Sequence, residues 1–143
     1  MRTFFVVVIA AICVSCSPFG LNPMGYEVLH EDLDTAWRKV SAMKYIPEDG
    51  NYWKSPVEFF RDGGGDCEDF AIALVYLLGP DSKSIRIYWP PYYHFIVEYD
   101  NKYIEPQCYG YEYFPSDITI VNTFSYSYSI TMATVTGLKS ITY

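Results

Sequence analysis

The stretch Gly63-Gly64-Gly65-Asp66-Cys67, followed by Phe70-Ala71-Ile72-Ala73-Leu74-Val75 and Leu77-Leu78, constrains this chain more than any other. Three glycines gain little from remaining helical, so they break whatever helix precedes them. Asp66 suits the cap of a new helix, predicted from Cys67 to Leu78 and stopped by Gly79-Pro80. Its residues are apolar almost all round, which leaves no face for water and sends the helix through the centre of a domain. Everything else must wrap around it, with a cysteine held at its first turn.

The 143 residues carry one such core, and two folded domains would not fit. Half of them are apolar and fifteen are tyrosine, a composition that collapses into a globule. The formal charge of −7, without any basic run, excludes a nucleic-acid binder, because phosphates reward clustered Lys and Arg. Met1-Arg2-Thr3 and the short apolar run Phe4 to Ile12 read as an export signal. It ends in Cys13-Val14-Ser15-Cys16-Ser17, similar to a bacterial lipobox, although a Leu is usual where Cys13 stands. The expectation is a signal peptide over 1–16 with lipidation at Cys16, a Pro/Gly-rich tether over 17–27, and a domain over 28–143. Simple cleavage or a retained anchor are the alternatives. An exported protein of the bacterial cell envelope, held to the membrane by a lipid, follows from the first reading.

Leu29, Leu33, Ala36, Trp37 and Val40 recur at helical spacing opposite acidic and basic residues, and predict an amphipathic helix. Lys44 to Tyr52 reads as a loop. Ser55-Pro56-Val57-Glu58 is a helix start, with Ser as cap, Pro in the first turn and Glu reaching back, for a short helix through Arg61. Ile85, Ile87 and Trp89 alternate as in a strand that Pro90-Pro91 ends. A hairpin is predicted from His94 to Tyr99 and Lys102 to Glu105 around Asp100-Asn101. The alternation from Ile118 to Met132 predicts one long or two shorter half-buried strands. Helices first and an antiparallel sheet afterwards make an α+β domain.

The address of Cys67 suits a nucleophile. A helix N-terminus offers partial positive charge and free N–H groups that favour thiolate and can hold an oxyanion. Asp66, Glu68 and Asp69 work against it by raising the thiol pKa, so a cationic partner is needed. Of the two histidines, His30 precedes the first helix and reads as a solvated or capping residue. His94 opens the hairpin strand. With a two-residue turn, Tyr99 pairs with Lys102, and counting outward sets Ile96 opposite Glu105 and His94 opposite Gln107. His94 and Glu105 then share a face as diagonal neighbours, and a one-residue slip would part them. Glu98 and Asp100 are rival acids. Cys67 with His94 as base and Glu105 as orienting acid forms a triad. Cys108 is read as a small buried hydrophobe. A Cys/His metal site lacks ligand spacing.

Tyr52-Trp53-Lys54-Ser55-Pro56-Val57-Glu58, Gly65-Asp66-Cys67-Glu68-Asp69-Phe70-Ala71-Ile72, His94-Phe95-Ile96-Val97 and Tyr103-Ile104-Glu105-Pro106 together resemble the bacterial transglutaminase-like cysteine proteinases, within the transglutaminase-like superfamily. The similarity runs from about Leu29 to Gln107. It implies a papain-like fold, N-terminal helices with a central Cys-bearing helix packed on an antiparallel sheet carrying the His and the acid. Cys67 and His94 carry over directly. Glu105 stands where the family usually has Asp. The family's oxyanion donor is a polar side chain upstream of the cysteine, for which Trp53 and Tyr52 are candidates. Acidic residues beside the cysteine bind calcium in some relatives, so Asp66 and Glu68 are candidate calcium ligands, although the sequence offers no complete oxygen cage. No cofactor is otherwise required.

The activity expected is acyl transfer on amide bonds of a peptide or protein, through a thioester that water or an amine resolves. Water makes a peptidase or amidase, and an amine makes a crosslinking transglutaminase. The alternative from another class is an envelope lipoprotein that uses the fold as a binding or scaffold module without turnover.

Overall fold

A computed structural model describes residues 31–50, 52–107 and 118–140, with side chains as far as 134 in the last helix. The expected signal peptide, Cys16, the tether, the start of the domain, His30 and Cys108 lie outside the described residues.

Helix α1 (Leu33–Ser41) starts where Asp32 Oδ1 accepts from Thr35 N at 3.0 Å and buries Ala36 and Val40. Strand β1 (Lys44–Tyr45) lies in the segment expected to be loop. Helix α2 (Pro56–Asp62) opens on the predicted capping box, with Ser55 N donating to Glu58 Oε2 at 2.8 Å and Glu58 N to Ser55 Oγ at 3.3 Å. Gly63 ends α2 in the left-handed region, as the glycine run requires.

Strand β2 (Gly64–Gly65) then pairs in parallel with β1, Lys44 beside Gly64 and Tyr45 beside Gly65. A Cβ on Gly64 would strike the Lys44 carbonyl, and one on Gly65 the Asp69 carboxylate. The glycines therefore serve a close approach to the protein's own backbone and side chain. That accounts for the missed strand, since two residues held by contacts made elsewhere carry no periodicity of their own.

Helix α3 (Cys67–Leu78) is buried from Phe70 to Leu78 except at Tyr76, as its all-round apolarity dictates. Strands β3 (Lys83–Trp89), β4 (Tyr92–Tyr99), β5 (Lys102–Ile104) and β6 (Thr119–Ser125) form an antiparallel sheet in the order β5-β4-β3-β6. Phe95, Val97 and Ile104 pack with Phe70, Leu74 and Phe59 in the core around α3. Ile85, Ile87 and Ile96 form a separate cluster of alternate parity.

The chain closes with α4 (Tyr126–Ser140), where the alternation from Ile118 to Met132 had promised strand. β6 occupies only its first half, is almost wholly exposed, and its register against β3 shifts between Arg86 and Ile87. The apolar residues that matter beyond it are Tyr126, Ile130 and Ala133, spaced i, i+4 and i+7. Ile130 and Ala133 are buried against Ile72 of α3, with Tyr126 packed beside them. Tertiary burial selected the helical period over the alternating one. Helices therefore flank the sheet in sequence, and the architecture remains α+β.

Candidate active site

Cys67, His94 and Glu105 line one cavity of about 620 Å³, together with Tyr45, Gln107 and the Trp89-to-Tyr93 turn. Three separate elements bring them there. Cys67 is the first residue of α3, His94 lies in β4, and Glu105 directly follows β5.

The hairpin register is the one the turn demands: Tyr99 pairs with Lys102, Glu98 with Tyr103 and Val97 with Ile104. Asp100 and Asn101 both take positive φ, 50° and 58°, as a two-residue turn between twisted strands needs. The ladder stops at Ile104, so the outer pairs expected at Glu105 and Gln107 do not form. The carboxylate nevertheless reaches the imidazole, and His94 Nε2 and Glu105 Oε2 lie 2.7 Å apart with both side chains largely buried. Glu105 is held at two further points. Gln107 N donates to Oε1 at 3.0 Å, and Trp37 Nε1 donates to the Glu105 carbonyl at 2.8 Å. The rival acids are engaged elsewhere, Glu98 with Lys83 at 3.0 Å and Asp100 in the turn.

The sulfur is differently placed. Cys67 Sγ donates to Glu68 Oε2 at 3.2 Å. Burial, the Glu68 charge and hydrogen bond, and Asp66 push the thiol pKa up, against a smaller opposite effect of the Phe95 N–H. The carboxylates flanking the thiol thus act as the sequence implied. Asp66 is itself pushed up to about 8 by burial and by the nearby Glu68 and Asp69. Asp69 is pushed up to about 7 by burial, although it accepts from Lys54 N at 2.7 Å and Asp66 N at 3.2 Å. Asp66 Oδ1 is buried without a hydrogen-bond partner.

Trp53 borders a second cavity on which Cys67 also opens, and its ring meets Phe95 and Phe124 edge-on at 5.6 Å. Tyr52 donates its hydroxyl to Glu58 Oε1 at 2.9 Å and borders neither cavity. Among the described residues, no three Asp, Glu, His or Cys side chains are grouped to hold a metal ion. The sequence does not reveal that Trp37 holds Glu105, because an indole N–H in a core stripe gives no periodic signal. Arg86 borders the second cavity, and nothing in the alternation of its strand marks it.

No family model matches the chain, and no curated protein does. Solved structures do. EGTA-treated Legionella pneumophila LapG superposes with a TM-score of 0.54 at 24% identity, covering 64% of this chain and 61% of that one. The fold is transglutaminase-like. A further Legionella pneumophila LapG structure matches at 23% identity and a TM-score of 0.46, covering 65% of this chain and 59% of that one. The chain thus spans about three-fifths of LapG's length, and the likeness concerns the arrangement of helices and sheet.

Proposed function

We propose that this chain is a cysteine-dependent acyl-transfer enzyme acting on an amide bond of a peptide or protein, with Cys67 as nucleophile, His94 as base and Glu105 as orienting acid. The reading rests above all on the 2.7 Å contact of His94 with Glu105 in a cavity that Cys67 also lines. A carboxylate fixed from both sides selects the imidazole tautomer and stabilises the imidazolium that must form.

In this reaction His94 takes the Cys67 proton as sulfur bonds to the substrate carbonyl carbon. The oxyanion faces the free N–H groups at the start of α3, with Trp53 as a candidate side-chain donor. Collapse expels the amine with the proton from His94 and leaves a thioester. Water, deprotonated by His94, then releases the acid and restores the thiol. An amine in place of that water would give crosslinking.

The resting thiol bonded to Glu68 implies a step before catalysis. Asp66 and Glu68 oppose thiolate and are themselves crowded, and the orphaned Asp66 Oδ1 suits a hard cation. Calcium held by these two carboxylates would neutralise the charge that keeps the sulfur protonated. EGTA, which appears with the LapG structure, is a calcium chelator. The same thiol–Glu68 bond is what favours the second reading, a scaffold module without turnover.

Casein hydrolysis in calcium-containing buffer, compared among wild type, Cys67→Ala and His94→Ala, tests the proposal. Activity confined to wild type is expected, and loss of that activity on adding EGTA supports the cation. Equal signals in all three proteins would favour the scaffold.

A further inference from the structure

Beyond the cavity that holds His94, Cys67 opens onto a smaller one of about 270 Å³, bordered by Arg86, Tyr93, Phe95, Phe124 and Trp53. Cys67 and Tyr93 border both spaces, so the cysteine stands between them. At about 30 Å³ per water molecule, the smaller space takes roughly nine non-hydrogen atoms, the size of one residue.

Arg86 is the cation of this space. It lies at the middle of β3 in register with Phe95, half-buried, with its guanidinium 4.5 Å from the centre of the Tyr93 ring. Arg38, Lys39, Lys54, Arg61 and Lys83 each have a carboxylate within ion-pair distance. Arg86, like the exposed Lys44 and Lys102, has none among the described residues, but unlike them it is half-buried. A half-buried guanidinium held over an aromatic face keeps most of its five donors free for a planar acceptor. Glu68 borders the same space, but its carboxylate is occupied by the Cys67 thiol and by Asp66.

We infer that this smaller cavity is the subsite for the substrate residue on the acyl side of the scissile bond, and that Arg86 selects a carboxylate-bearing side chain there. The inference rests on the cysteine-nucleophile reading. Its polarity follows from the proton path: His94 must hand its proton to the departing amine, so the amine side occupies the larger cavity and the acyl side the smaller. The aromatic walls hold the methylene stem of the residue, and the guanidinium binds its end.

The test uses two peptidyl fluoromethyl ketones that differ only in a Glu or a Gln next to the reactive carbonyl. Both form a thioether as sulfur displaces fluoride, and Cys67 labelling is followed by mass spectrometry in calcium-containing buffer. In wild type the Glu probe should label Cys67 about tenfold faster than the Gln probe, a ratio that one charge-assisted pair supplies. High salt should shrink that ratio. Arg86→Gln should bring it close to one, and Arg86→Lys should retain part of it. Rapid labelling by both probes with a wild-type ratio near one would overturn the subsite and leave the nucleophile standing. Failure of both to label Cys67 would remove the nucleophile and the subsite together. The wild-type ratio and its salt dependence need no variant, so misfolding of Arg86→Gln leaves the test intact.

Discussion

Glu105 shows how much a single side chain depends on its fixings. Its carboxylate meets His94 on one oxygen and a backbone N–H on the other, while Trp37 clamps its carbonyl from α1. Glu105→Gln keeps the shape and removes the charge that stabilises an imidazolium. We expect a fall in kcat of about 10²- to 10⁴-fold, the usual span for a general-base system, with the melting temperature nearly unchanged. Peptide hydrolysis beside a thermal melt checks it, and a variant with undiminished kcat would remove Glu105 from the triad. Trp37→Phe loses the indole donor and part of the ring's packing against the core. It should cost about 1 kcal/mol in urea unfolding.

Two elements carry predictions about stability. Gly63 and Gly64 both have positive φ, 79° and 148°, but only Gly64 has a neighbour, the Lys44 carbonyl, where a Cβ would go. Gly64→Ala should therefore destabilise more than Gly63→Ala. The first adds overpacking of about 1–3 kcal/mol to the backbone strain they share. Urea titration of the two variants gives the order, and equal losses would dissolve the argument for the β1–β2 contact. At α2, burial pushes the Glu58 pKa up, but hydrogen bonds from Ser55 N, Ser55 Oγ and Tyr52 hydroxyl outweigh it and hold the carboxyl below its ordinary value of 4.5. A depressed folded pKa means that the capping box stabilises fully above the unfolded value, with the gain lost as pH falls through the folded one. The stability gap between wild type and Glu58→Gln should accordingly narrow on acidification below about pH 4.5. A gap constant across that range would mean that the charge contributes nothing.

At the scale of the whole molecule, we propose from the sequence that an export signal precedes the domain and that Cys16 tethers it to the membrane. Cys16→Ser should shift the protein from the membrane fraction to the soluble one when both are expressed in a bacterium that processes lipoproteins. Unchanged partitioning would argue for a retained anchor or simple cleavage. Sequence alone determined the elements whose causes are local: the Ser55 capping box, the glycine break, the all-round apolar α3, and the Asp100-Asn101 turn that sets Tyr99 against Lys102. Each is written in residues a few positions apart, where propensity and hydrogen-bonding chemistry act without help. Tertiary structure decided the rest, because the causes lie far along the chain. The period of 126–133 was settled by burial against Ile72, and β1 and β2 exist because glycines admit the Lys44 backbone. Arg86 joined the cavity beside the sulfur only when β3, β4 and α3 came together, for no spacing along one strand encodes what the neighbouring layer brings to it.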